Sequence, residues 1–145
     1  MRLLKAWLPV IVWAAVILSA ANDKLSNDTT AGWLEQLFGA LPSFVNFTFR
    51  KGGHMVAYAV LGLLGWRAVS SGAAGFSPPA SRFGGLKPAA PLLIVLIVAI
   101  VDETLQSRTL TRTGSAFDVL LDVCAAALAL IAVPAVRARL SSPRG

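Results

Sequence analysis

The chain has 145 residues, of which 56% are hydrophobic and only 14% charged, with a mean hydropathy of +0.70. Soluble domains carry about 25% charged residues, so this composition argues against a domain with an ordinary polar surface and excludes an intrinsically disordered chain. The formal net charge of +6 would suggest nucleic acid in a soluble protein. Membrane proteins instead hold cations on their cytoplasmic side for topological reasons, so a lipid bilayer, and no nucleic acid, is the expected partner.

A spanning helix needs about 20 mainly apolar residues at about 1.5 Å each. Four runs qualify, over residues 3–21, 49–69, 89–107 and 117–136. They predict an all-α fold, a single membrane domain over residues 1–145 with four transmembrane helices. The first run is interrupted only by Lys5 and Pro9. Its basic start and the Ser19-Ala20-Ala21 end also allow a rival reading as a cleaved signal peptide, although it is long for one and carries Trp7 and Trp13. In the following loop Trp33, Leu34, Leu37, Phe38 and Leu41 fall at helical spacing, which predicts a short helix lying in the membrane interface.

The second run opens with Arg50, Lys51 and His54, and the Ser, Gly and Pro of residues 70–88 make a loop. The third run carries Asp102 and Glu103 near its end, and a short polar turn over 107–116 leads to the fourth, which has Asp118 and Asp122 in its first two turns. The basic tail after Val136 is expected to fray. Cys124 is the only cysteine, so an intrachain disulfide and a Cys-based zinc site are excluded; it is expected to pack in the fourth helix as a small apolar residue. Ala125 and Ala129 have the spacing that allows close helix contact.

Charge sets the expected orientation. Four spans put both termini and the 70–88 loop on one side, with eight cations against five on the other. The excess of Lys and Arg belongs in the cytoplasm. The expectation is a multi-pass protein of a bacterial cytoplasmic membrane, both termini inside, with the 22–49 and 107–116 loops outside.

Two polar constellations stand out. Lys51, His54 and Tyr58 are spaced i, i+3, i+7 and share one helical stripe. Ionisable groups at membrane depth face a partner or a water-filled cavity; alternatively Lys51 snorkels while His54 and Tyr58 sit in the headgroup layer. Asp102, Glu103 and Gln106 lie on adjoining parts of the third helix, and Asp118 and Asp122 repeat the i, i+4 spacing on the fourth. Four of the seven acids thus fall within 21 residues. They make either an ion-pair network with Arg112 or Arg50 as counter-ion, or a polar site at the outer mouth of the bundle. In the four-span topology both constellations meet at that outer face.

The stretch Arg50-Lys51-x-x-His54-x-x-x-Tyr58-x-x-Leu61-Gly62 resembles the first motif of the VanZ-like family of bacterial membrane proteins. Asp102-Glu103-x-x-Gln106, Arg112-x-Gly114 and Asp118-Val119-x-x-Asp122 resemble its second, in order and spacing over about 80 residues. The resemblance implies a small helical membrane domain of the cell envelope, in a family whose founding member is linked to resistance to the glycopeptide teicoplanin. Leu105 stands where members often carry a His, and Leu110-Thr111 where they often carry Pro-Gly.

Three functions fit these residues. The first is an envelope protein whose outward polar cluster of Arg50, Lys51, His54, Tyr58, Asp102, Glu103, Gln106, Arg112, Asp118 and Asp122 binds an envelope ligand or glycopeptide. The second is a membrane-embedded hydrolase or transferase acting on a lipid-linked substrate. His54, Glu103 and Asp102 would be its catalytic candidates, alone or holding a divalent cation. The third is a small proton-coupled transporter subunit, which with four short helices would need to oligomerise.

Overall fold

The computed structural model describes residues 2–20, 32, 35–37, 39, 43–70, 89–108 and 115–141. These form four long helices: α1 (Arg2–Ala20), α2 (Ser43–Ser70), α3 (Ala89–Gln106) and α4 (Ala116–Ser141). The protein is all-helical, and no strand occurs among the described residues. A helical turn at residues 35–37 is closed by the Gly39 N–H, which donates to the Glu35 carbonyl at 2.8 Å. Gly39 has φ +79°, the left-handed geometry that ends helices and that glycine adopts without a Cβ penalty. Of the expected interfacial helix, Leu37 lies in this turn and is exposed. Trp33, Leu34, Phe38 and Leu41 lie outside the described residues.

The helices differ from the apolar runs at their ends. α2 starts at Ser43, well before the apolar run, because Ser43 to Thr48 are compatible with helix although not uniformly apolar. Hydropathy marks where lipid can surround a helix, not where the backbone bonds begin. α4 continues to Ser141, five residues into the tail expected to fray after Val136; residues 142–145 lie outside the described residues.

Packing centres on α2. It contacts α1, α3 and α4, while α1 also touches α3 but not α4 among the described residues. α1 therefore sits along the α2–α3 groove of a three-helix core. The buried cluster comprises Val10 and Ile17 from α1, Tyr58, Leu61 and Ala68 from α2, Val95 and Ala99 from α3, and Ala126 from α4. The Trp13 indole N–H donates to the Ala57 carbonyl at 2.9 Å, which fixes α1 to α2 and satisfies the polar handle of a large aromatic.

Two glycines allow the close approach. A Cβ on Gly62 would lie 3.0 Å from the Ala126 Cβ, and one on Gly65 would lie 3.2 Å from the Pro91 Cβ. α2 thus meets α4 at Gly62 and α3 at Gly65. The small-residue contact on α4 is made by Ala126, one residue from the expected Ala125. Cys124 is exposed, which corrects its expected packing: Ala125 and Ala126 occupy the inward face instead.

Over the described residues, Ala89–Gln106 is long and apolar enough to cross a membrane, and Leu4–Ala20 is a shorter apolar helix.

Candidate functional site

The site forms where three helix ends meet: the first half of α2, the end of α3 and the start of α4. Ser115 organises the last of these. Its Oγ accepts the Phe117 N–H at 3.2 Å and its carbonyl accepts the Asp118 N–H at 2.9 Å, the pattern of a serine N-cap. Its own N–H donates to Glu103 Oε1 at 2.5 Å. Glu103 on α3 therefore holds the N-terminus of α4, where a carboxylate also meets the positive end of the helix dipole. Ser115-x-x-Asp118 is a recognisable helix-start signature. Ser115 carries no charge, and its role depends on Glu103, a residue of another helix.

Lys51 on α2 forms an ion pair with Asp118 on α4, and both side chains are partly exposed. The Lys51 ammonium also lies 5.7 Å from the centre of the Phe47 ring, within cation–π range. Lys51 is thus the counter-ion of Asp118. Arg112, one of the two counter-ions expected, lies outside the described residues. Arg50 lines the site and is itself engaged in an interaction.

Deeper in the bundle, the Tyr58 hydroxyl donates to Asp102 Oδ2 at 2.9 Å. Tyr58 is 0% exposed and Asp102 1%. Tyr58 is therefore an interior residue of the bundle: seven residues past Lys51, its hydroxyl reaches across to α3 rather than outward. His54 Nδ1 lies 3.9 Å from the same Asp102 oxygen, beyond hydrogen-bond length. The His54 ring stacks near Tyr58 with centroids 6.4 Å apart and planes 17° apart. Asp102 Oδ1 is buried with no hydrogen-bond partner.

Above this pair opens a cavity of about 270 Å³. Its walls have opposite character. α2 contributes Arg50, Lys51 and His54; α3 and α4 contribute Glu103, Gln106, Asp118 and Asp122, with Ser115 between them. Phe47, Met55 and Leu121 complete the lining; none of these three apolar residues was picked from the sequence, because an apolar residue in an apolar run carries no signal of its own. Glu103, Gln106 and Asp122 are buried, whereas Lys51 and His54 are about one-third exposed. Nine of the ten cluster residues expected from the sequence are thus gathered at one end of the bundle, with Asp102 and Tyr58 beneath the cavity rather than lining it.

Among the described residues no group of three or more His, Cys, Asp or Glu side chains is arranged to hold a metal ion. Chemically, the arrangement offers one imidazole, a buried carboxylate touching a tyrosine hydroxyl, and three further carboxylates facing a cationic wall. Models of known protein families, curated proteins and solved structures give no match to this chain.

Proposed function

We propose that the chain is a four-span membrane protein of a bacterial envelope whose polar cavity opens on the outer face and binds an envelope ligand. The observation that carries this reading is an inverted surface. Large apolar side chains point outward from every long helix: Leu8 and Val16 on α1, Val56 on α2, Ile97 and Ile100 on α3, Leu128 and Ile131 on α4. The charged and polar groups instead converge inside one end of the bundle. Soluble monomers rarely expose apolar patches of this extent, and lipid is the solvent that rewards such a pattern. Residues 52–69 contain only Arg67 as a formal charge, and 116–133 only Asp118 and Asp122, which supports α2 and α4 as spans beside α1 and α3.

The resemblance to the VanZ-like family rests on the two motifs, and it joins this reading to the cell envelope and to protection against glycopeptides of the teicoplanin type. Reporter fusions after Ala21, Ser71, Thr111 and Gly145 test the topology, with out, in, out, in expected. An outside signal at position 145 overturns it. Teicoplanin susceptibility and surface binding in cells expressing the wild type or His54→Ala, at matched membrane levels, test the function. Identical susceptibility of both strains to that of cells lacking the protein removes the glycopeptide role.

A second reading has one observation in its favour. His54 lines the cavity with Asp102 Oδ2 3.9 Å from its Nδ1, about 1 Å longer than the hydrogen bond by which a carboxylate orients an imidazole general base, a contact that can tighten when substrate binds. A hydrolase or transferase acting on a lipid-linked envelope substrate would use His54 with Asp102 and Glu103, with or without a divalent cation. Loss of function in both His54→Ala and Glu103→Gln, at unchanged abundance and thermal stability, supports catalysis. A proton-coupled transporter would need carboxylates reached from both faces, and Tyr58, Leu61 and Ala126 fill the interior on the inner side of the cavity.

A further inference from the structure

We propose that the cavity is a headgroup site for a zwitterionic lipid carrying a primary ammonium next to a phosphate, as in phosphatidylethanolamine. The inference rests on the outward-facing membrane reading above and adds the class of ligand. The cavity is graded in charge as well as divided. Its buried end carries Asp122, 4% exposed, Glu103 and Gln106, and its open end carries Arg50, His54 and the Lys51–Asp118 pair, a net cationic set.

Asp122 is the decisive side chain. It is more than nine-tenths buried, lines the cavity, and makes no hydrogen bond or ion pair among the described residues. Lys51, the nearest cation by its role, is already engaged with Asp118. Glu103 uses Oε1 on the Ser115 N–H, and no described residue bonds its Oε2. Burial without a partner disfavours the charged form of a carboxylate, and a cation that reaches it restores that form. An ammonium entering the cavity supplies one positive charge and three donors, for Asp122 and Glu103 Oε2.

The anion of the ligand then lies toward the open end. Arg50 has five N–H donors in a fixed fork, enough to serve its existing partner and a phosphate together. His54 and Lys51 add donors beside it. A volume of about 270 Å³ falls just below the range of drug-sized sites, which suits a headgroup of a few heavy atoms. Phe47 and Met55 at the cavity are both exposed and offer apolar surface to the first carbons of acyl chains. Ammonium and phosphate together could also come from free phosphoethanolamine, and the apolar flank favours the lipid.

The test uses the full chain purified in detergent, titrated with short-chain phosphatidylethanolamine, phosphatidylcholine, phosphatidylglycerol and free phosphoethanolamine, with binding read by the shift in melting temperature and by calorimetry. The ethanolamine lipid is expected to bind about tenfold or more tighter than the choline lipid, whose trimethylated nitrogen has no N–H to give, in line with the loss of charged hydrogen bonds. The glycerol lipid, lacking the ammonium, is expected to bind as weakly as the choline lipid. Asp122→Asn, nearly isosteric, should abolish that preference while keeping the helical circular-dichroism spectrum. Equal binding of the ethanolamine and choline lipids, or a preference unchanged in Asp122→Asn, overturns the proposal. Free phosphoethanolamine binding as tightly as the lipid overturns the lipid source.

Orientation is read separately, by labelling Ser115→Cys in a Cys124→Ala background with a membrane-impermeant maleimide on intact spheroplasts. Labelling from outside without ethanolamine preference sinks the headgroup site and keeps the outward cavity. Preference with labelling only from inside sinks the outward orientation and keeps the headgroup site.

Discussion

The Tyr58 hydroxyl donates to Asp102 Oδ2 at 2.9 Å, between two side chains that are both essentially out of contact with solvent. This one bond joins α2 to α3 in the interior of the bundle, 44 residues apart in sequence. It is also the only hydrogen bond made by the Asp102 carboxylate among the described residues, since Oδ1 has none and His54 stands 3.9 Å away.

Removing the hydroxyl therefore exposes the full cost of burying the carboxylate. Tyr58→Phe is expected to destabilise the protein by about 1–3 kcal/mol, the penalty for a buried polar group left unsatisfied. Asp102→Asn keeps an acceptor for the hydroxyl and is expected to cost less. Thermal melting in one detergent, read by circular dichroism, compares them. The double variant Tyr58→Phe/Asp102→Leu, which removes both partners, should be more stable than the summed losses of Tyr58→Phe and Asp102→Leu allow. Strict additivity would mean that the bond does not couple the helices.

The glycines of α2 separate packing from helix propensity. Gly62 has the Ala126 Cβ at 3.0 Å from where its own Cβ would be, while Gly53 has nothing within 4 Å. Gly62→Val is expected to force α2 from α4 and cost about 1–3 kcal/mol, as overpacking does. Gly53→Ala is expected to be neutral or to stabilise by up to about 1 kcal/mol, through propensity alone. A Gly62→Val protein that melts with the wild type would show that α2 and α4 do not approach as closely as the structure has them.

Much of this arrangement could be read from the chain, and the failures have physical reasons. The four helices follow from apolar runs, because helix is the backbone form that satisfies its own polar groups over such lengths. The stripe of Lys51, His54 and Tyr58 follows from helical periodicity. What periodicity could not give was the depth of each residue along the stripe. Tyr58 has a ring that suits either an interface or an interior, and its partner Asp102 lies on another helix, so only the fold decides. The counter-ion of Asp118 is open for the same reason: Arg112 and Arg50 are the expected partners, and the structure pairs Asp118 with Lys51, the neighbour of Arg50 in sequence. Cys124 was misplaced because Cys124, Ala125 and Ala126 are all small enough for a helix contact, and rotation about α4 puts the alanines inward. Ser115 was legible as a cap but needed Glu103 beside it to matter.

The Lys51–Asp118 pair is partly exposed on both sides, so it should contribute modestly. Lys51→Met or Asp118→Asn is expected to cost about 0.5–1 kcal/mol, in the range of exposed pairs. The charge reversal Lys51→Asp/Asp118→Lys should recover part of that loss, although the reversed lysine then sits at the α4 N-terminus, where the dipole disfavours it. Melting midpoints at low and high salt check both points, with the wild-type advantage shrinking as salt rises. An advantage that is independent of salt would show that Lys51 acts through packing on Phe47 instead of through charge.

Cys124 reports on the solvent around the bundle. Its side chain is exposed on α4, eight residues from Ala116, which corresponds to about 12 Å along a helix. If lipid surrounds α4, this depth lies within the hydrocarbon core of about 30 Å, where a thiol does not ionise to the reactive thiolate. In membranes the wild type is then expected to resist a water-soluble maleimide, and to react quickly once denatured in sodium dodecyl sulfate. A cysteine placed at exposed Phe117, in a Cys124→Ala background, sits near the end of α4 and should label without denaturation. Mass spectrometry of the labelled protein measures both. Rapid labelling of Cys124 in intact membranes, at the rate of the Phe117→Cys variant, would mean that water and not lipid covers this face, and the exposed apolar side chains of all four helices would then need a protein partner to cover them.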